Sequence, residues 1–496
     1  MAHKRRRAAG GASGYEVDYS CRFNDDDSAY TQFTTDDIGD SNTTMAWGVW
    51  VKRGNLSSVQ YIFGFDNDAG GREQSMRFDA SDRIEIVFNE QGGARQLQYV
   101  STQVFRDPHS WYHISGYVDT TPASPEFKLW VNGVEVTVWT TSTNALNQND
   151  TLYIGSSIKR LSIGATAAGA SFFDGLISQL AIQDGQTISD ATNYGETDAN
   201  GVFRPVDITG LTFGTGGFLL DFAVAPGTGN GAGTDVSGND NHFADSVSLI
   251  AADQVTDTPT NNFATWSALW GDATLANGNL EITNSGAGAY ENTISSIAMP
   301  ATGKFVFEAT RTAVTYGLVG VIRVGNSASD TVTTESYHIN VGNGEIVQNG
   351  SLLETVTTPG ASVIRIEYDC ATDIIEIFDD GVSVRTAEAA NIDGTGPLHF
   401  MCSPYQNAAF SCVFATANMV GTPTTDFITL NTTNLAVPAI ADGADEFVLV
   451  VDTESNIEAT LATARTGWSS YVDILKNRDS AEAWIWRWSN DSSNET

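Results

Sequence analysis

Acidic side chains are the commonest reactive groups in this chain, with 60 Asp and Glu against 25 Lys and Arg and 6 His. Hydrolysis of a glycosidic bond needs two carboxylates held across one cleft, and a β-strand supplies them through alternation, as in Glu-x-Asp-x-x-Glu. The acids of Ile84-Glu-Ile-Val-Phe-Asn-Glu90 and Ile375-Glu-Ile-Phe-Asp-Asp380 miss that spacing. They read as solvated strand faces and turns, so no enzymatic activity is expected. His109 and His113 are four apart, but on a strand that spacing separates the rings by about 13 Å, too far for one zinc ion. Asp25, Asp26, Asp27, Asp66 and Asp68 offer hard oxygen ligands on loops. Calcium is the ion they suit, as a structural cofactor, provided about six to eight oxygens converge at about 2.4 Å; three consecutive Asp residues do not by themselves show convergence.

Two further groups could bind rather than react. Trp484, Trp486 and Trp488 alternate, so a strand there puts three indoles on one face, as a stacking platform for a glycan or as a core or subunit interface. Lys4, Arg5, Arg6 and Arg7 form a local basic run in an otherwise acidic chain. It reads either as a docking tail or as a solubilising end.

The elements that must position these groups are strands. Met45, Trp47, Val49 and Val51 alternate on one face, as do Ile84, Ile86 and Phe88, the pattern of a sandwich strand with one apolar side. Phe127, Leu129 and Val131 lead into Asn132-Gly133, a pair suited to the positive φ angles of a type I′ hairpin, and Val134 and Val136 resume the pattern. The second half repeats the unit: a strand from Val363, a turn at Cys370-Ala-Thr-Asp, a strand from Ile374, Asp380-Gly381, then Val382-Ser-Val. The fold class is therefore all-β, with two antiparallel β-sandwiches of jelly-roll type and a short C-terminal β element. Between the halves, Gly227 to Asn241 reads as unpacked loop, without the strand and helix that a phosphate cradle needs. Asp257-Thr-Pro-Thr-Asn-Asn-Phe-Ala-Thr265 reads as an extended joint, because Pro259 bars the helical region at Thr258.

A formal net charge of −35 argues against binding to nucleic acid and points to a saline habitat, where self-repulsion is screened. No apolar run reaches membrane-spanning length and the N-terminus lacks a signal-peptide pattern, so membrane insertion is not expected. Cys21, Cys370, Cys402 and Cys412 are too scattered for a disulfide framework and read as buried thiols.

Specific motifs add a resemblance. Arg22-Phe-Asn-Asp-Asp-Asp-Ser-Ala-Tyr30, Trp50-Val-Lys-Arg-Gly54, Val104-Phe-Arg-Asp-Pro108, Trp111-Tyr-His113, Val131-Asn-Gly133, Phe173-Asp-Gly175 and Phe218-Leu-Leu-Asp-Phe222 resemble a concanavalin A-like, laminin G-like module of tailed-phage virion proteins. The connector, Val255 to Phe263, resembles the segment that follows it there. Gly303-Lys-Phe-Val-Phe-Glu308, Asn343 to Gly350 and Phe427 to Leu435 are similar to a SPRY-like module. The resemblance covers most of residues 15 to 440. Together with the basic run and the C-terminal β element it gives a basic tail at 1–14, a first sandwich at 15–222, loop and connector at 223–265, a second sandwich at 266–418 and a β-rich extension at 419–496. By the same resemblance the protein is expected to be a non-enzymatic virion component, a tail fibre or associated host-attachment protein that binds bacterial surface glycan. The alternative is a structural virion protein, a capsid decoration or tail adaptor. Other virion proteins and further copies of this chain are the expected partners.

Overall fold

In the computed structural model the described residues are 14–33, 43–66, 73–89, 95–152, 160–198, 201–284, 286, 288–313, 316–324, 335–357, 363–394, 396–435, 446–451 and 484–489. Apart from four short 3-10 turns, the regular structure among them is β, in antiparallel sheets with one parallel contact. One compact unit holds two sandwiches and ends at Leu435; a smaller one holds the paired strands Glu446–Val451 and Trp484–Ser489.

The two sandwiches share a strand order. In the first, one sheet runs Val134–Glu135, Glu126–Val131, Tyr112–Asp119, Thr44–Arg53, Gly175–Asp184, Ser20–Phe23 and Gln254–Val255. Its counterpart in the second runs Val382–Ala389, Ile374–Asp379, Val363–Asp369, Lys304–Ala313, Ala409–Val413, Glu281–Thr283 and Thr274–Ala276. The facing sheets correspond as well. Arg95–Val104, Arg83–Asn89, Gln74–Phe78, Gln60–Asp66, Arg160–Ile163 and Thr31–Phe33 match Ser351–Thr355, Glu345–Gln348, Ser336–Asn340, Gly317–Arg323, Leu398–Pro404 and Thr293–Ile294.

Local chemistry explains the shared hairpins. Asn132 and Gly133 have φ of 48° and 80°, and Asp380 and Gly381 have 47° and 79°, the doubly left-handed geometry of a type I′ turn. Alternation fills the cores: Met45, Trp47, Val49 and Val51 pack inward with Ile84, Ile86 and Phe88, as Phe305 and Phe307 do with Ile364 and Ile366 in the second sandwich. Fully burying one such side chain is worth about 1.5–3 kcal/mol. Cys21, Cys402 and Cys412 are buried, Cys370 is half-buried, and all four are free thiols.

Three boundaries differ from the sequence reading. The stretch 223–265 is not a separate loop and connector, because Ala244–Asp245 pairs with Thr31–Phe33 and Gln254–Val255 pairs with Ser20–Phe23. Gly227 to Asn241 packs: Gly231, Ala232 and Gly233 are buried in a 3-10 turn, and a side chain at Gly233 would strike the Phe243 carbonyl. Glycine there permits close approach rather than looseness. The second sandwich also runs past 418, since Ile428–Thr429 pairs with Lys304–Ala313.

Candidate functional site

Lys52 lies on the outward-facing side of Thr44–Arg53, where alternation alone would leave it in solvent. It is 2% exposed. Its ammonium donates to Asp257 Oδ2 at 2.7 Å, Asn262 Oδ1 at 2.7 Å and the Phe263 carbonyl at 3.0 Å, which uses all three of its protons. Asp257 also accepts from Trp111 Nε1 at 3.1 Å, and its carbonyl accepts from the Ser20 hydroxyl. Asn262 donates onward to the His109 carbonyl. The far side of the connector belongs to the second sandwich: Ala264 N donates to Leu430 O, and Thr432 N to Asn262 O, both at 2.9 Å. The connector is therefore a buried clamp. It is also not extended throughout, because Thr258 and Asn261 exchange both backbone hydrogen bonds around Pro259-Thr260. Proline presets the first turn position while Thr258 stays extended.

A second cross-link sits at Asp174, which is fully buried. Its carboxylate accepts from Asn55 N at 3.0 Å and, across the seam, from Gly278 N at 3.3 Å. Burial, with the Asp25 charge adding to it, pushes this carboxyl up to about 7 despite those two N–H donors. Gly175 follows at φ 136°, where a side chain would meet the Lys52 carbonyl. Beside these links the seam holds a partly open pocket of about 230 Å³ walled by Leu176, Val255, Phe263, Leu280 and Phe414. The charged groups at its edge, Arg22 and Asp257, are paired with Asp253 and Lys52.

The residues singled out in the sequence have separate fates. Asp25 accepts from Asn55 Nδ2, Asp27 from Asn24 Nδ2, and the Asp26 amide donates to Asn24 Oδ1. Asp66 pairs with Arg160 at 3.3 Å. Asp68 and the Lys4, Arg5, Arg6 and Arg7 run lie outside the described residues. Among the described residues no group of three His, Cys, Asp or Glu side chains gathers as a metal site. His113 stacks among Trp50, Tyr194 and Phe203, and burial lowers its imidazole to about 3. The His109 ring is likewise lowered, chiefly by burial. Trp484, Trp486 and Trp488 lie on a strand whose register pairs them with Val451, Leu449 and Phe447. Lys52, Asp257 and Asp174 belong to motifs quoted above, yet received no role there. The signal was present, since a lysine, an Asp-Gly pair and an Asn-Asn-Phe run carry the resemblance without offering any chemistry.

Among the described residues no helix is long and apolar enough to cross a membrane. The chain has no match among curated protein sequences. Solved structures similar to it include the SPRY domain of human HERC1, at 14% identity over 30% of this chain and 96% of that one, with a TM-score of 0.26. A native heptameric SAP-like pentraxin from Limulus polyphemus matches at 12% identity over 35% and 78%, with a TM-score of 0.27. Domains LG4-5 of the mouse laminin alpha1 chain match at 12% identity over 79% and 84%, with a TM-score of 0.30. Residues 25–191, the body of the first sandwich, match the family model of the concanavalin A-like lectin/glucanases superfamily.

Proposed function

We propose that this protein is a non-enzymatic attachment component of a tailed-phage virion, a tail fibre or fibre-associated protein, whose β-sandwiches hold bacterial surface glycan. The observation that carries this reading is the lectin/glucanase match of the first sandwich, joined through virion-type connector motifs to a second sandwich of the same strand order. Three of the acids nearest to a hydrolytic pattern accept hydrogen bonds within the fold. Glu85 accepts from Arg77 and Gln98, Glu376 from Ser383, and Asp380 from the Val363 amide. Weak sites suffice for such a role: one site near 1 mM is worth about −4 kcal/mol, and several copies on one particle raise avidity by roughly 10² to 10⁴.

A glycan array probed with and without calcium tests this reading, and silence across the array would overturn it. The second reading, a capsid decoration or tail adaptor working through protein contacts between virion proteins or copies of this chain, is favoured by one observation. Glu446–Val451 and Trp484–Ser489 pair as a two-stranded sheet, and two strands alone are at best marginally stable without a packing partner. Electron microscopy of labelled particles separates the two: label on the capsid surface favours the adaptor, label on the fibre the attachment protein. Deleting Lys4 to Arg7 is expected to lower incorporation into particles; unchanged incorporation would remove the docking role of that run.

A further inference from the structure

The outer face of the sheet containing Gly317–Arg323 and Leu398–Pro404 carries Ile294, Leu318, Ile322 and Met401, all buried, under three partly buried side chains, Trp270, Tyr290 and Val324. At one end of this face three tyrosines from distant segments meet. Tyr290 and Tyr405 form an isolated antiparallel bridge with ring centroids 4.8 Å apart, and Tyr316 lies edge-on to Tyr405 at 6.3 Å. Tyr316 is 42% exposed, Tyr290 and Tyr405 are half-buried, and the neighbouring Gln406 and Asn407 are exposed.

Hydrogen bonds and close packing hold the rings. Asn340, itself buried, donates to the Tyr290 hydroxyl at 3.1 Å, and Gln406 Nε2 donates to the Tyr405 hydroxyl at 3.3 Å. The Tyr316 ring rests on Gly342, where an added Cβ would lie 2.5 Å from the ring. Gln406 and Asn407 both have positive φ, 49° and 60°, the doubly left-handed geometry of the tight turn between Leu398–Pro404 and Ala409–Val413, which fixes both side chains beside the rings.

We propose that Tyr290, Tyr316 and Tyr405 form a stacking platform for a neutral hexose glycan, with the amides of Gln406 and Asn407 at its rim. The inference rests on the glycan-binding role proposed above and assigns it a place. Aromatic faces attract the apolar C–H side of a pyranose, and fixed amides and phenols bond its hydroxyls directionally. The carboxylate whose charge bears on Tyr290 is Glu345, and the chain carries −35 overall. Anionic polysaccharide is therefore repelled and a neutral sugar is not.

The test is binding of the full chain to an array of neutral hexose oligosaccharides that includes maltohexaose and cellohexaose, followed by titration of the strongest binder against variants with an unchanged melting curve. Tyr316→Ala and Gly342→Val are expected to weaken binding at least about tenfold, the scale on which losing an aromatic stacking partner is felt. Tyr405→Ala is expected to abolish it, and Trp486→Ala to leave it intact. Should Tyr405→Ala fail to fold, the exposed Tyr316 carries the test. Binding that survives both Tyr316→Ala and Gly342→Val, or is lost with Trp486→Ala alone, overturns the site and leaves the glycan reading standing. Binding confined to acidic sugars overturns the neutral-hexose assignment. A wild-type chain that binds no sugar overturns both.

Discussion

In the first sandwich the outer face around Trp50 lies under Tyr194 and Phe203, whereas the equivalent face of the second, around Arg365, is closed by charge. Gly48 on the first makes room for the Tyr194 ring, 2.6 Å from where a Cβ would sit. Arg365 on the second forms an ion pair with Glu367 at 3.0 Å, approaches Glu308 at 3.9 Å and stacks over Phe378. The backbone N–H groups of Val420, Gly421 and Thr424 then close over those two carboxylates. On the facing sheets the assignment is reversed. The first sandwich shows there the polar network of Tyr61, Glu73, Arg77 and Glu85, and the second an apolar face edged with tyrosines. One strand order thus tolerates opposite decoration, because the shared cores fix only the inward residues of each strand and the covering segments decide what the outward ones must be.

The largest expected effects test that contrast. Arg365→Met strands two buried carboxylates and should cost about 5 kcal/mol in chemical denaturation, and Trp50→Ala should cost about 4 kcal/mol through lost packing. If Arg365→Met cost under about 1 kcal/mol, the ion pairs would not be what closes the second face. Next comes pH. Asp174 keeps its proton to about 7 in the fold but releases it near the ordinary 3.8 when unfolded, so the fold holds more protons between those values. Its stabilising protonation is fully present below about 3.8 and is lost as pH rises through about 7. At about 1.36 kcal/mol per pH unit the difference approaches about 4 kcal/mol. The stability difference between wild type and Asp174→Asn should therefore change over that window, and a flat difference would remove Asp174 as the source.

Asp257→Ala leaves the Lys52 ammonium with two acceptors of three and should cost about 3 kcal/mol. Limited proteolysis of that variant should cut within 257–265, a segment the wild type protects. The smallest effect compares the two hairpins. Gly381→Ala meets nothing within 4 Å and should cost only the left-handed backbone penalty of about 1 kcal/mol. Gly133→Ala should cost about 2 kcal/mol or more, since its Cβ would lie 2.6 Å from the Phe203 ring. Equal costs would mean that Phe203 yields without resistance.

What was legible in the sequence was local. Asn132-Gly133 and Asp380-Gly381 announce their turns, and alternation through Met45 and Val51 identifies the inward residues. What was not legible depends on distant chain. Lys52 reads as a solvent-facing strand residue because its carboxylate partner lies 205 residues away. Tyr290, Tyr316 and Tyr405 show no spacing at all, since segments far apart in the chain bring them together. Trp484, Trp486 and Trp488 were legible as a strand, because alternation alone specifies that much.

The pairing of Ser20–Phe23 with Gln254–Val255 carries a consequence for biosynthesis. At about 5–20 residues per second, a ribosome needs roughly 13–50 s to deliver the strand that completes the first sandwich, longer still to clear it from the exit tunnel. Until then one edge of the nascent sheet stays open, a template for wrong pairing with a neighbouring nascent chain. The residues that close this edge lie immediately before the Lys52 clamp. Closure of the first sandwich therefore waits for the middle of the chain and its docking to the second for residues near 430, and a chain truncated before residue 254 should aggregate rather than yield a smaller folded piece.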